Sequence, residues 1–176
     1  TQFLVPLGNE SLLQDHGIKT VQAFDWGDSI TINGSRIYCL PTQHWSKRGI
    51  ADTNRSLWAS WAVIGTSKRF YFAGDTGYFE GFKTIGEKLG PFDLAAMPIG
   101  AYEPTLMMRS THMNPEEAVQ ATIDVQAKKA LAIHFGTFDL SDEPLSEPPE
   151  RFKAAAGKAP GVENAWVVKI GERRAF

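Results

Sequence analysis

Histidine is scarce in this sequence, and the positions of its histidines are the first indication of chemistry. Only four occur, and His44 and His134 each follow an apolar run with the character of a β-strand. Asp75 follows a third run of this kind. Residues just beyond the strand ends of an α/β sheet converge on the crevice where ligands bind. The sequence therefore predicts that two imidazoles and one carboxylate meet at one edge of a sheet.

These three side chains are of the types that a catalytic zinc ion requires. Zinc is bound by imidazole nitrogens and carboxylate oxygens, and a catalytic site keeps one position open for water. A metal there lowers the pKa of the water from about 16 to about 7. Each residue alone also has a structural interpretation. His44 could be a hydrogen-bonded residue after a strand, Asp75 a turn residue and His134 the cap of a loop.

The triplet Asp75-Thr76-Gly77 admits a second enzymatic interpretation, as the active-site triplet of an aspartic protease. Such enzymes need two copies of the triplet and carry apolar strand residues before the aspartate, where this sequence has Ala73-Gly74. The histidines would have no function in that case. A peptidase activity inhibited by pepstatin would support this alternative.

The surrounding sequence predicts the elements that position these residues. Asn33-Gly34 between two apolar runs indicates a hairpin, because both central residues of a type I′ turn need positive φ. The segment 57–65 is apolar on both alternating faces, which predicts a strand covered on both sides. Asn114-Pro115 predicts the start of a helix. The order, a β-rich first portion and then strand–helix repeats, predicts an α/β sandwich with a mixed sheet and flanking helices. Strands are predicted at 29–32, 36–40, 57–65, 69–73, 93–99, 130–134 and 165–170, and helices at 82–89, from 115 onward and at 148–158.

Composition restricts the class of protein. Hydrophobic residues make up 43% and charged residues 22% of the chain, which is typical of a globular domain and argues against disorder. A net charge of −2 without a basic block does not favour nucleic-acid binding. The single cysteine, Cys39, excludes an internal disulfide and lies in an apolar run, so we expect it to be buried.

Five stretches of the sequence, which follow one another in order and extend over most of the chain, together resemble one family. The stretches are Pro41–Arg48, Phe72–Tyr78, Gly90–Pro104, Asn114–Ala118 and Ala132–Phe138. They are similar to those of the N-acylphosphatidylethanolamine-hydrolysing phospholipase D family, which belongs to the metallo-β-lactamase superfamily.

The resemblance implies an αββα sandwich that binds two zinc ions and hydrolyses a phosphodiester. His44 would ligate one metal, His134 would ligate the other, and Asp75 would bridge both and so act in catalysis. Bridging suits a carboxylate, because it has two oxygens whereas a neutral imidazole has one free nitrogen. His112 matches a family histidine at the mouth of the site and would contact the substrate phosphate or deliver a proton. Thr111, where the family has Gln, would also contact the substrate.

The sequence departs from this family in one respect. The superfamily carries an H-x-H-x-D-H motif in its first half, and no such motif occurs here. Residues 1–176 are therefore expected to form a single domain that resembles the C-terminal half of the sandwich. Two functions remain as alternatives. The complete protein would perform phospholipase D-type cleavage of an N-acylphosphatidylethanolamine-like lipid, or the chain is a truncated half-domain that self-associates and binds metal without catalysis.

The resemblance also sets the expected partners and location. The substrate would be a phospholipid or another phosphodiester, with peripheral contact to a membrane. The protein partner would be a second copy of the chain or the missing N-terminal half. No nucleic acid is expected. The expected location is the cytoplasm or a membrane surface.

Overall fold

A seven-stranded mixed sheet forms the centre of the molecule. The computed structural model describes all residues from Thr1 to Phe176. A second, two-stranded parallel sheet is formed by the first two strands. The strands are β1 (Phe3–Pro6), β2 (Val21–Phe24), β3 (Ser29–Ile32), β4 (Ser35–Leu40), β5 (Ser60–Ile64), β6 (Arg69–Phe72), β7 (Leu94–Pro98), β8 (Lys129–Ile133) and β9 (Asn164–Trp166). The helices are α1 (Glu10–Gln14), α2 (Gly81–Leu89), α3 (Thr105–Met108), α4 (Pro115–Asp124) and α5 (Glu147–Ala156).

The predicted hairpin is present between β3 and β4. Asn33 and Gly34 adopt φ values of 49° and 79°, the left-handed conformations that a tight type I′ turn needs. The turn pairs Ile32 with Ser35 and sets the register of the two strands. Cys39, in β4, is fully buried as expected, and burial raises the pKa of its thiol to about 12.

The order of strands in the main sheet follows their order in the sequence, from β3 to β9. Pairing is antiparallel from β3 to β6 and parallel from β6 to β9. Two antiparallel steps separate β4 from β6, so these two strands run in the same direction. The C-terminal ends of β4, β6, β7 and β8 therefore lie at the same edge of the sheet, as the mixed-sheet prediction requires.

Three helices cover one face of this sheet. The connections from β6 to β7, β7 to β8 and β8 to β9 contain α2, α4 and α5, and α4 contacts both of the other two helices. Their apolar side chains meet the inward-facing residues of the strands in one core, as strand–helix–strand units require. Fully buried members of this core include Ala62, Tyr71, Phe82, Ala95, Ala121, Ala130 and Phe152.

The opposite face of the sheet is less completely covered. Trp61 packs edge-on against Phe24 of β2, and Phe70 packs against the terminal Phe176, so both ends of the chain lie on this face. Phe72 nevertheless remains 40% exposed, and Trp61 is only partly buried. No residue of the 57–65 segment is itself exposed, so this segment is covered on both sides as predicted, although the cover of its second face is less complete than that of the first. The sequence pattern records which side chains are apolar but not which element packs over them.

Helix lengths in the structure bear on membrane insertion. The longest helices, α4 and α5, have 10 residues each, and a bilayer-spanning helix needs about 20. None of the helices therefore has the length and apolar character needed to cross a bilayer.

Candidate metal and phosphate site

The predicted residues lie at the edge of the sheet where four strands end. His44 follows β4, Asp75 follows β6, and His134 is the residue directly after β8. His112 lies between α3 and α4, in the connection that leaves β7 at the same edge. The predicted meeting of two imidazoles and one carboxylate is thus explained by strand direction, and a third imidazole joins them.

The loop that carries His44 is fixed to the loop that carries Asp75. The backbone N–H of Gln43 donates to the hydroxyl of Thr76 at 2.9 Å, and the N–H of Gly77 donates to the carbonyl of Gln43 at 2.8 Å. The Thr76 hydroxyl in turn donates to the Gly77 carbonyl at 2.7 Å and is fully buried. The Asp-Thr-Gly triplet is therefore a turn that binds one site loop to the other.

The orientation of His44 leaves one ring nitrogen available. Its Nδ1 lies 2.8 Å from the carbonyl oxygen of Trp45, which can only accept a hydrogen bond, so Nδ1 carries the proton in the neutral ring. The Nε2 atom then presents a lone pair, and it is buried without a hydrogen-bond partner. A backbone carbonyl on one nitrogen of a histidine is the usual arrangement when the other nitrogen binds a metal.

Asp75 and His134 contact each other through their side chains. Asp75 Oδ1 lies 3.4 Å from His134 Nε2. The hydrogen bond to His134 holds the pKa of Asp75 below its usual value, and the same contact raises the pKa of His134. His134 adopts a φ of 57°, and Gly100 lies directly against its backbone. The strand end and this close contact together direct the imidazole towards Asp75.

His112 lies between the other two imidazoles. Its ring is edge-on to that of His44, with centroids 5.2 Å apart, and stacks on that of His134 at 5.3 Å. Burial first, and then electrostatic interaction with the neighbouring imidazoles of His134 and His44, lower the pKa of His112 to about 4. The imidazole is therefore neutral at pH 7. Its Nδ1 is buried and has no hydrogen-bond partner.

The start of α4 fixes the position of His112. Asn114 accepts a hydrogen bond from the N–H of Glu117 at 2.8 Å, and Glu117 accepts one from the N–H of Asn114 at 3.0 Å. This reciprocal capping box and Pro115 begin the helix as predicted. Thr111 lies in the preceding turn, where its hydroxyl donates to the carbonyl of Met108 at 3.3 Å. Its role in substrate binding remains a prediction.

The donor atoms of the site fit a metal ion in kind. His44 offers an unpartnered Nε2, His134 has a buried and unpartnered Nδ1, and the Asp75 side chain is about half exposed. In the present arrangement, however, no three His, Cys, Asp or Glu side chains of the chain converge tightly enough to hold an ion. The chain thus supplies donors at one edge of the sheet rather than a closed coordination sphere.

Two pockets of different character flank this cluster. A polar pocket of about 330 Å³ is lined by His44 and Asp75 together with Lys47, Arg48 and Asp52. A second pocket, of about 220 Å³, lies on the other side and is lined by His134 and the segment that follows it. Sequence reasoning did not identify the lining residues of the second pocket that follow Phe138. They occur in a loop without periodicity, and only the proximity of that loop to His134 could have suggested a role.

Comparison with known proteins identifies related sequences. Residues 4–135 match the family described as the β-lactamase superfamily domain. The chain is 47% identical over 163 residues to N-acyl-phosphatidylethanolamine-hydrolyzing phospholipase D 1 of Caenorhabditis elegans, an alignment that covers 86% of this chain and 46% of that protein. It is 32% identical over 181 residues to the mitochondrial N-acyl-phosphatidylethanolamine-hydrolyzing phospholipase D of Saccharomyces cerevisiae, covering 99% and 39% respectively. The chain thus spans less than half the length of these relatives.

A solved structure supports the fold. Igni18, a metallo hydrolase from the archaeon Ignicoccus hospitalis, superposes with a TM-score of 0.77 at 23% sequence identity. The superposition covers 98% of this chain and 67% of the archaeal one. At this sequence identity the superposition shows that the two proteins share the arrangement of strands and helices. That arrangement includes the sheet edge that carries the histidines and Asp75.

Proposed function

The chain belongs to the β-lactamase superfamily, and we propose on this premise that its cluster of histidines and Asp75 serves metal-dependent phosphodiester hydrolysis. In the complete protein the reaction would be phospholipase D-type cleavage of an N-acylphosphatidylethanolamine-like lipid. The metallo-β-lactamase fold and the family resemblance predicted from the sequence are confirmed. A phospholipid substrate would bring the protein into peripheral contact with a membrane.

The observation that carries this proposal is the free Nε2 of His44 beside Asp75 and His134. A histidine whose Nδ1 is held by a carbonyl and whose Nε2 is buried without a partner has the hydrogen-bonding arrangement that is usual for a metal ligand. The names of the Caenorhabditis elegans and yeast relatives support the choice of substrate. Igni18, which shares the fold, is described as a metallo hydrolase, and this description agrees with the proposed chemistry.

His44, Asp75 and His134 would hold the metal, with zinc as the expected ion and two ions in the complete site. When bound, the metal would supply Lewis acidity towards the phosphoryl oxygens and lower the pKa of a coordinated water. One carboxylate oxygen of Asp75 contacts His134, and the other oxygen remains available to a second partner such as the metal. Its lowered pKa keeps it ionised at neutral pH.

His112 would bind and orient the phosphodiester. Because its imidazole is neutral at pH 7, it has one N–H to donate to a phosphoryl oxygen and one nitrogen that can accept a proton. Lys47 and Arg48, which line the polar pocket beside His44, would attract the negative charge of the substrate. The side chains of the site would thus orient the phosphate, balance its charge and hold a proton at a defined nitrogen.

Zinc analysis and hydrolysis assays test this proposal. We expect Asp75→Asn to reduce bound zinc and to reduce the release of phosphatidic acid from N-palmitoyl phosphatidylethanolamine vesicles, or of nitrophenol from bis(p-nitrophenyl) phosphate, at least 10²-fold. Asp142→Asn is the matched control, because Asp142 is a carboxylate in the loop after His134 that lies outside the cluster. Full zinc content and full turnover in Asp75→Asn would refute the proposed role of this residue.

A second candidate function applies to the chain by itself. No three potential ligands converge tightly enough to hold a metal ion, and one face of the sheet exposes apolar side chains such as Phe72. Both observations favour a non-catalytic half-domain that self-associates through this face and binds metal without turnover. Size-exclusion chromatography with metal analysis separates the two functions. A monomer with stoichiometric zinc and measurable turnover would exclude the second one.

A further inference from the structure

A buried carboxylate that is not part of the histidine cluster lies close to it, in the loop after β8. Glu143 is 8% exposed, and no lysine, arginine or histidine forms an ion pair with it. Burying a carboxylate without a countercharge is unfavourable unless hydrogen bonds replace the lost water. Its two oxygens accept hydrogen bonds from the N–H of Ala101 at 2.6 Å and the N–H of Glu103 at 3.0 Å. The hydroxyl of Ser141 donates a third bond at 2.9 Å. The carboxylate thus joins the loop after β7 to the loop after β8.

The loop after β7 depends on Glu143 for its backbone hydrogen bonds. Among the N–H groups of residues 100–103, those of Ala101 and Glu103 form hydrogen bonds, and both bond to Glu143. Ala101 has a φ of 63°, a left-handed conformation that is unfavourable for a residue with a Cβ atom and persists only where its surroundings support it. One further bond joins the two loops, from the N–H of Asp142 to the carbonyl of Glu103 at 3.2 Å. Glu143 therefore fixes the path of the loop at two points.

This loop contacts one histidine of the cluster and leads to another. At its start, Gly100 lies against the backbone of His134. At its end, the N–H of Met108 donates to the carbonyl of Pro104 at 3.1 Å, and the N–H of His112 donates to the carbonyl of Met108 at 2.8 Å. These bonds connect the loop to His112 through a run of helical turns. A change in the path of the loop would therefore move the His112 imidazole relative to that of His134, on which it stacks with ring centroids 5.3 Å apart.

We propose that Glu143 is a positioning residue, which holds the loop after β7 in the conformation that brings the imidazoles of His112 and His134 together. Its hydrogen bonds go to two backbone N–H groups and one serine hydroxyl, so it acts on the imidazoles through the backbone. The effect on the histidines does not depend on the reaction, whereas any effect on turnover rests on the proposed function. If Glu143 only adds to the stability of the domain, its replacement will leave the two imidazoles in place.

The substitution Glu143→Gln in the full chain tests this inference. Glutamine has nearly the same shape, but one of its two terminal groups is an NH2 donor, which cannot accept a hydrogen bond. One of the two bonds to the loop is therefore lost, and the amide proton of Ala101 or of Glu103 should exchange with solvent about tenfold faster. In metal-free protein, the nuclear Overhauser effect between the ring protons of His112 and His134 should weaken, because it decreases steeply as the rings separate.

Glu147→Gln is the matched control. Glu147 also accepts two hydrogen bonds, from the hydroxyl of Tyr102 at 2.7 Å and from Arg151 at 3.0 Å, but neither donor is a backbone N–H of the loop. This substitution should lower the Tm slightly, since the charge that pairs with Arg151 is lost, and should leave the contact between the two imidazoles unchanged. A reduced Tm in Glu143→Gln with an unchanged contact between His112 and His134 would overturn the inference.

A second substitution at the same position covers the case in which Glu143→Gln does not fold. Glu143→Asp keeps the carboxylate, but its side chain is one methylene shorter and holds the loop less closely. The contact between His112 and His134 should weaken here as well. An unchanged contact in a folded Glu143→Asp protein would count equally against the inference.

Turnover separates this inference from the proposed function. With zinc and bis(p-nitrophenyl) phosphate, Glu143→Gln should reduce kcat by a factor of about 10–10² and change KM less, as a misplacement of about 1 Å does. If no form of the protein binds zinc or hydrolyses the phosphodiester, the proposed function is wrong. A weakened contact between the imidazoles in Glu143→Gln, but not in Glu147→Gln, would still support the positioning role.

Discussion

The close contact between Gly100 and His134 gives the most direct test of how the fold positions the site. Gly100 follows β7, and a Cβ atom at this position would lie 2.4 Å from the carbonyl oxygen of His134 and 3.3 Å from the Cα of Phe135. Contacts shorter than 3.0 Å are essentially never found for real Cβ atoms. Gly100→Ala therefore requires the backbone at His134 to move.

The size of this movement follows from the same distances. An ordinary contact begins at 3.4 Å, so the two chain segments must separate by about 1 Å. Overpacking of this kind costs about 1–3 kcal/mol in the free energy of unfolding. Because Asp75 and His134 are already 3.4 Å apart, a shift of this size breaks their hydrogen bond. In a catalytically active form of the protein, a misplacement of about 1 Å would reduce turnover on the order of 10²-fold.

The assay is an NMR titration of the His134 imidazole in metal-free protein, together with urea denaturation. In the unchanged chain, contact with Asp75 raises the pKa of His134 above its ordinary value of 6.5. In Gly100→Ala the pKa should return towards 6.5. Gly157→Ala is the matched control, since a Cβ there meets its nearest neighbour at 3.4 Å. A folded Gly100→Ala protein that retains the raised pKa of His134 would refute the reasoning.

Three further predictions concern the elements around the site. In metal-free protein, Asp75→Asn should reduce the free energy of unfolding more at pH 5.5 than at pH 8.5. The interaction that raises the pKa of His134 stabilises the fold below pH 6.5, and this contribution is lost as pH rises. The interaction that lowers the pKa of Asp75 stabilises the fold above pH 3.8, and this contribution is lost as pH falls. Equal losses of stability at both pH values would contradict the pairing of Asp75 with His134. Asn114→Ala should remove the capping bond and lower stability by about 1 kcal/mol, seen as a fall in Tm of about 2–4 °C. Phe82→Ala should cost about 3–5 kcal/mol in urea denaturation, because the ring of this α2 residue is fully buried.

Local patterns in the sequence predict most of the secondary structure around the site. The Asn33-Gly34 turn, the Asn114 cap and the end of the predicted 82–89 helix at Leu89 depend on interactions within a few residues, and all three are confirmed. The strands β1 and β2 at the start of the chain are not among the predicted strands. They pair with each other across the intervening α1, so their stability comes from partners rather than from a local pattern.

The family and the candidate site residues can be predicted from the sequence, because matched stretches and donor types are properties of the chain itself; the family is confirmed, and the roles of the site residues remain a prediction. The tertiary structure decides what these residues touch. It places His112 between His44 and His134, leaves the Nε2 of His44 without a partner, and brings Asp75 to 3.4 Å from His134. It also separates a polar pocket from an apolar one. These features depend on the direction of strands far apart in sequence and on contacts between loops, and no spacing along the chain encodes them.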